Sequence, residues 1–322
     1  MRPLPLLLLA AALALPTGAA QSAPPSLTFS APEGTLREYR GEEVSRVSFS
    51  NAEATLSGAD AEAQRTFAAQ FQGALRAGEG EKKQSFKQFF KVLPAEGTPG
   101  RYLWNSLITT VDGSPSLRSV RTLAPGGGSG RLDYQPARPV SPEALKDPAQ
   151  TVAVLLAQRL EAELAGSHAE LLAAFDPASF GLFGQALTPG QTFTRMRTLR
   201  PPHPLGALGT PGQETPPVQV EETLRYEGEE GGTLRFTRQA RVVRPAQVIT
   251  GALSLITTLR EYELGGELRL TREGLPVSAT RTERYVADVR GSATRSGAQA
   301  GQQVRASLTV TGTSSLTLTF VK

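Results

Sequence analysis

Strict alternation of apolar and polar residues predicts β-strands through much of the second half of the chain. Apolar residues occupy every second position in residues 304–310 and again in 316–320. The same alternation predicts hairpins over residues 266–291 and 218–243, the second turning at Gly228–Gly232. One face of each strand is apolar and the other is polar, which is typical of an antiparallel sheet with one solvated side.

The first half of the chain shows shorter strands and two Pro/Gly-rich interruptions. Val47 and Phe49 alternate with polar neighbours, and residues 101–124 predict a further hairpin. Residues 124–143 contain clustered glycines and prolines and predict a loop or a domain boundary. Residues 200–217 predict a long exposed loop, which is a candidate for a lid or a partner contact.

Three segments have the spacing of amphipathic helices. Residues 60–77 place apolar side chains every four positions, and Ser57 or Asp60 can cap this helix. Residues 81–93 predict a second helix with lysines opposite its aromatic side, and residues 142–175 predict two more helices. The aromatic residues on the apolar faces are Phe67 and Phe71 in the first helix and Phe86, Phe89 and Phe90 in the second.

These elements together predict an α+β fold, in which curved antiparallel β-sheets carry amphipathic helices packed on one face. The predicted division is a signal peptide in residues 1–20, an N-terminal α+β domain in 21–135, and a helix-then-sheet domain in 136–322. Similar Pro-x-Gly sequences near residues 32 and 189 suggest an alternative, in which the chain contains two related halves.

The N-terminus has the three regions of a secretory signal peptide. Arg2 precedes an apolar run over residues 6–15, and the small residues Gly18 and Ala20 favour cleavage before Gln21. The run is about half the roughly 20 residues that a membrane crossing needs. We therefore expect a secreted or periplasmic protein of the cell envelope, with no integral membrane span after cleavage. The alternative is an uncleaved N-terminal anchor.

Composition excludes several kinds of chemistry. The chain has no cysteine and two histidines, so it offers neither a disulfide framework nor a zinc site. No GxSxG sequence is present to support a serine hydrolase. The adjacent glutamates Glu221 and Glu222 are one of several carboxylate pairs, but neighbours in a strand point to opposite faces and cannot form a catalytic dyad. We therefore predict no catalytic, metal or cofactor site.

The whole chain has a net charge of +4, and its positive charge is concentrated in the last quarter of the sequence. The arginines of the 266–291 hairpin lie on both faces without aromatic residues between them, which argues against a nucleic-acid surface. Arg281 and Glu283 are interpreted as an exposed pair near a sheet edge. The interpretation that we favour is a solvated face. The alternative is a contact surface for an anionic polymer or a protein, which would use Arg269, Arg281, Arg284 and Arg290.

In its predicted fold class and its predicted export, the chain is similar to the open-barrel carriers of bacterial envelopes. These proteins shelter lipid or acylated cargo inside a curved sheet. The leading hypothesis is therefore a non-enzymatic envelope protein that binds a lipid, another apolar molecule or a partner protein between sheet and helices. Its predicted ligand-binding residues are Phe67, Phe71, Phe86 and Phe90. The alternatives are an interaction protein that uses its basic C-terminal sheet and, third, an exported hydrolase that uses carboxylates.

Overall fold

The structure is a computed structural model of the 322-residue chain. It describes residues 26–94, 102–110, 115–123, 129–136, 175–199, 201, 218–249, 254–294 and 301–321. The predicted signal peptide, residue 200, the loop over 202–217 and the helices over 142–174 lie outside these residues. In the described part of the chain, no helix combines the length and apolarity needed to cross a bilayer.

Twelve antiparallel strands form one sheet. They are β1 (Leu36–Ser57), β2 (Gly80–Pro94), β3 (Tyr102–Thr110), β4 (Pro115–Leu123), β5 (Ser129–Pro136), β6 (Thr192–Leu199), β7 (Val218–Glu230), β8 (Thr233–Arg244), β9 (Ala246–Ile249), β10 (Ser254–Leu270), β11 (Pro276–Thr294) and β12 (Gln303–Phe320). Their order across the sheet is β5-β4-β3-β2-β1-β12-β11-β10-β8-β7-β6, and β9 pairs with β10 beside this path.

The predicted α+β fold class is wrong, because the described residues form a β-rich fold with a single α-helix, α1 (Ala61–Gly78). The largest local error concerns residues 81–93, which form strand β2 and not a second amphipathic helix. The spacing of Phe86 and Phe90 fits a strand as well as a helix, since both are buried on one face of β2. Pairing with β1 and β3 supplies β2 with backbone partners on both sides, which decides in favour of the strand.

The hairpin predictions are confirmed. Residues 266–291 contain the turn between β10 and β11, and residues 218–243 contain the turn between β7 and β8. Strands β3 and β4 pair as the 101–124 prediction requires. Part of the predicted loop over 124–143 instead forms β5. Strands from both sides of the predicted domain boundary at residue 135 share the one sheet.

The prediction of helix α1 is confirmed, and its N-cap is Asp60. The Asp60 side chain accepts a hydrogen bond from the Ala63 backbone amide at 2.8 Å, whereas Ser57 is the last residue of β1. Phe67, Phe71 and Leu75 are buried against the sheet. The helix therefore packs on the sheet through the apolar stripe that its sequence predicts.

Replacing Asp60 by alanine is expected to destabilise the fold by about 1 kcal/mol, because the amides at the start of α1 lose their side-chain acceptor. Chemical denaturation measures this loss. Ser57→Ala is the matched control, since its hydroxyl does not cap the helix. Equal effects of the two substitutions would contradict the assignment of the cap to Asp60.

The sheet is strongly curved, and its buried side is called the inner face below. Arg197 on β6 bonds Glu283 on β11 across a distance of 2.9 Å. Four strand spacings separate β6 from β11 in the sheet order, which would be about 19 Å in a flat sheet. The inner face must therefore curl so that its distant strands meet side chain to side chain.

Two main apolar clusters occupy the inner face. The Phe-rich cluster includes Leu27, Phe29, Phe86, Phe90, Phe175, Phe180, Phe183, Phe193, Tyr226, Phe236 and Leu318. The Val-rich cluster includes Phe71, Leu75, Val218, Val220, Leu259, Tyr285, Val289, Leu308 and Val310. A third, small cluster joins Phe67 of α1 to Leu56 and Val304. The two main clusters lie at opposite ends of the same strands, which leaves a band between them.

Candidate functional site: a buried belt of arginines and glutamates

Charged side chains fill the band between the two main clusters. On β11, Ala279 belongs to the Phe-rich cluster and Tyr285 to the Val-rich cluster, with Arg281 and Glu283 between them on the same face. The same position on β6, β7 and β8 is again occupied by charged residues. The six residues, called the belt below, are Arg195, Arg197, Glu222, Arg238, Arg281 and Glu283.

Glu222 is the centre of one half of the belt. Its side chain is fully buried, and its Oε2 accepts hydrogen bonds from Arg195 Nε at 2.8 Å and from Arg195 Nη2 at 2.5 Å. Its Oε1 accepts a bond from Arg238 Nη1 at 2.5 Å. The Phe180 ring lies under both guanidiniums, 5.1 Å from the Arg195 Cζ and 5.8 Å from the Arg238 Cζ. This arrangement satisfies the carboxylate and stacks both cations on an aromatic face.

The arginines hold Glu222 in its ionised form. Burial alone would raise the pKa of this carboxyl, but Arg195, Arg238 and Arg197 lower it to about 2. Burial also lowers the pKa of Arg238, to about 10, although Glu222 counteracts this effect. The lowered pKa of Glu222 favours its charged form, because three arginines surround the carboxylate. The lowered pKa of Arg238 favours its neutral form, because this buried guanidinium also experiences the charges of Arg195 and Arg281.

We expect the contribution of Glu222 to stability to be lost in acid. The pKa of Glu222 in the folded state is below its ordinary value of 4.5, so its pairing stabilises the fold fully above that pH and less as the pH falls toward about 2. The difference in unfolding free energy between wild type and Glu222→Gln should shrink by about 3 kcal/mol over this window. Denaturation of both proteins at several pH values measures it, and a difference that stays constant would contradict the assigned pKa.

Glu283 is the centre of the other half. Its Oε1 accepts a hydrogen bond from Arg197 Nη1 at 2.9 Å, and the same nitrogen lies 2.8 Å from the Tyr262 hydroxyl oxygen. Burial raises the pKa of Tyr262, so this hydroxyl is neutral at physiological pH. Arg197 thus connects edge strand β6 to the middle of the sheet through β10 and β11.

Arg281 is the least satisfied member of the belt. Only 5% of the residue is exposed, and its Nη2 is 3.7 Å from Glu283 Oε2, which is longer than a hydrogen bond. Its Nε and Nη1 are buried with no hydrogen-bond partner in the structure. Burial lowers the pKa of this guanidinium, and the charge of Arg197 lowers it further. A buried donor without an acceptor is uncommon in folded proteins and calls for an explanation.

The interpretation of Arg281 and Glu283 as an exposed pair near a sheet edge is therefore wrong. Both residues are buried, and β11 lies between β10 and β12 inside the sheet. The pattern around them already alternated correctly, with Ala279, Tyr285 and Ala287 on the same face. On β11, therefore, a charged residue does not by itself mark the solvated face.

The four arginines predicted to contact a partner do not share one surface. Arg281 is on the inner face, whereas Arg269, Arg284 and Arg290 are on the outer face. Arg269 bonds Glu267 and Glu230, and Arg284 bonds Glu261 at 2.7 Å. The same pairing occurs beyond the predicted set, in Arg241 with Glu221 and in Arg272 with Glu229. Much of the positive charge on the outer face is thus balanced by neighbouring carboxylates.

The four phenylalanines predicted to bind a ligand are all buried but lie in three places. Phe86 and Phe90 belong to the Phe-rich cluster, Phe71 to the Val-rich cluster and Phe67 to the small third cluster. The structure thus brings Phe86 and Phe90 together on β2 and separates them from the two phenylalanines of α1.

Arg195, Arg197 and Glu222 were not predicted to be buried. A signal was present: Phe193 and Leu199 bracket both arginines on β6 at two-residue spacing, and Val220 and Leu224 bracket Glu222 on β7. A charged residue that keeps the apolar phase of a strand, with apolar residues on both sides, is a candidate for a buried charge.

A groove of ≈ 640 Å³ crosses β2, β1, β12, β11 and β10, and Glu283 of the belt is part of its lining. Its lining includes Arg46 with Glu81 and Arg284 with Glu263. The hydroxyl groups of Thr282 and Ser315 are also part of it. Val44 and Leu264 add apolar surface to the lining.

The described residues contain no group of three or more histidines, aspartates and glutamates that could hold a metal ion. Glu221 and Glu222 point to opposite faces, as the strand period predicts.

Comparison of the chain with models of known protein families finds no match, and neither does comparison with curated proteins.

Proposed function

We propose that this chain is an exported, non-enzymatic binding protein of the bacterial cell envelope and that it holds an apolar or amphiphilic ligand against its inner face. The observation that carries the proposal is that the Phe-rich cluster is covered on one side by segments outside the sheet. One side of the cluster is the hydrogen-bonded sheet, and the other is formed by residues 27–31 and 175–187, called the cover below. Apart from a short 3-10 helix at Pro177–Phe180, the cover is irregular.

The cover is held together by a small set of backbone bonds. The Gly184 amide donates to the Leu27 carbonyl at 2.9 Å, and the Leu27 amide donates to the Gln185 carbonyl at 3.2 Å. A longer bond of 3.4 Å runs from the Ser30 amide to the Glu273 carbonyl in the turn between β10 and β11. These bonds are fewer than those of the β11–β12 ladder, so the cover is the part of this wall whose separation breaks the fewest backbone hydrogen bonds. Separation of the cover from the sheet would give a ligand access to the aromatic side chains below.

The state of Glu222 favours binding over catalysis. A general acid or base works best with a pKa near the operating pH, whereas the pKa of Glu222 is lowered to about 2. The predicted signal peptide in residues 1–20 supports export. The alternative of a surface for an anionic polymer has weaker support, since outer-face arginines such as Arg272 and Arg284 are paired with glutamates.

The test is to express the full chain in a bacterium, purify it under native conditions, and extract it with organic solvent. We expect a stoichiometric lipid or other apolar molecule in the extract, and an intact mass that lacks residues 1–20. An empty protein that also fails to bind a long-chain alcohol would refute the ligand-binding proposal. An uncleaved chain recovered from the cytoplasm would refute export.

A further inference from the structure

We propose that the ligand on the inner face is an anionic amphiphile and that Arg281 binds its carboxylate or phosphate group. This inference rests on the proposed function, because it names the chemical class of the ligand in the same site. The observation behind it is the pair of buried, unpartnered donors on Arg281, Nε and Nη1.

Neighbouring belt residues leave these donors of Arg281 unsatisfied. Glu283 is the nearest carboxylate, but its Oε1 accepts a hydrogen bond from Arg197 at 2.9 Å while its Oε2 stays 3.7 Å from Arg281 Nη2. The strand partners of Arg281 are Gly266 on β10 and Leu316 on β12. Glycine has no side chain, and the leucine side chain has no hydrogen-bond acceptor. A bound oxyanion would supply an acceptor to a donor of Arg281, which is 5% exposed.

The position of Arg281 also fits a ligand with an apolar tail. Along β11 the neighbouring inner-face residue on one side is Ala279 of the Phe-rich cluster, and Leu316 beside it belongs to the same cluster. A headgroup at Arg281 would therefore place a hydrocarbon chain against the aromatic side chains under the cover. Nε and Nη1 lie on different edges of the guanidinium, and a carboxylate or phosphate can bind either edge, through Nε with Nη2 or through Nη1 with Nη2, so the shared chemistry is a single oxyanion on an apolar chain.

The test compares probes that differ only in headgroup or in tail. Binding of dodecanoate, dodecyl phosphate, dodecanol, acetate and inorganic phosphate to the delipidated full chain is measured by calorimetry at pH 7.5. We expect the two charged amphiphiles to bind about tenfold to a hundredfold more tightly than dodecanol. Acetate and phosphate should bind far more weakly than either amphiphile.

Arg281→Met is expected to abolish this preference, so that dodecanoate and dodecanol bind equally, with dodecanol affinity unchanged. The fold should survive, because Glu283 keeps its bond to Arg197 and a buried cation is replaced by an apolar side chain of similar length. Arg281→Lys, which keeps the charge with fewer donors, should retain part of the preference. Arg284→Met is the control on the outer face of the same strand and should change neither affinity.

The outcomes separate this inference from the proposed function. Equal binding of dodecanoate and dodecanol to the wild type would overturn the role of Arg281 and leave the apolar site standing. Failure of every amphiphile to bind would overturn the proposed function itself. Binding of acetate or phosphate as tightly as dodecanoate would also overturn the inference, since the site would then serve a small free anion.

Discussion

Replacing Glu222 by glutamine is expected to lower the free energy of unfolding by about 3–5 kcal/mol, the largest effect of any single change considered for this chain. The glutamine keeps the shape of the side chain but removes its charge. Arg195 and Arg238 would then share a buried site without the carboxylate that both contact at 2.8 Å or less. Two desolvated cations facing a neutral amide cost much more than the loss of one hydrogen bond.

Glu221→Gln is the matched control. Glu221 is the preceding residue on β7 and also pairs with an arginine of β8, Arg241, at 2.7 Å. The difference is burial, since 74% of the Arg241 side chain is exposed and none of the Arg238 side chain is. The control should therefore lose only about 0–1 kcal/mol. Urea denaturation of both variants gives the comparison, and similar losses would show that the belt does not depend on buried charge pairing.

The contrast between Glu221 and Glu222 also shows what the sequence can predict. Alternation places the two residues on opposite faces, and this part of the prediction is correct. Alternation does not say which partners a buried charge will find. Arg195 and Arg238 come from strands on either side of β7, and Arg197 reaches Glu283 only because the sheet curls. The belt therefore depends on contacts between distant segments that no local pattern encodes.

The error over β2 has a related cause. Phe86 and Phe90 are four residues apart, and this spacing puts two side chains on one face of a helix and also on one face of a strand. For α1 the ambiguity is absent, because Phe67, Phe71 and Leu75 repeat the spacing and Asp60 provides a cap. Local signals thus fixed the helix correctly, whereas for β2 the neighbours β1 and β3 decided the outcome.

Gly266→Ala is expected to cost about 3 kcal/mol or more, the second-largest effect. Gly266 has a φ of +132°, a backbone conformation that side-chain-bearing residues rarely adopt. A Cβ at this position would lie 2.2 Å from the Thr280 carbonyl oxygen and 3.0 Å from the Arg281 Cα, both in the backbone of β11. Because a backbone cannot rotate out of the way as a side chain can, β10 and β11 would have to move apart.

Gly265→Ala provides the comparison for this change. Gly265 precedes Gly266 on β10, and a Cβ there would meet the Thr282 hydroxyl oxygen at 3.1 Å, which a small side-chain rotation relieves. This variant should stay within about 1 kcal/mol of wild type in thermal or chemical denaturation. Since Gly266 pairs directly with Arg281, its substitution should also weaken dodecanoate binding, while Gly265→Ala leaves that binding intact. If both alanine variants were equally stable, the close approach of β10 to β11 at Gly266 would not be the constraint that positions Arg281.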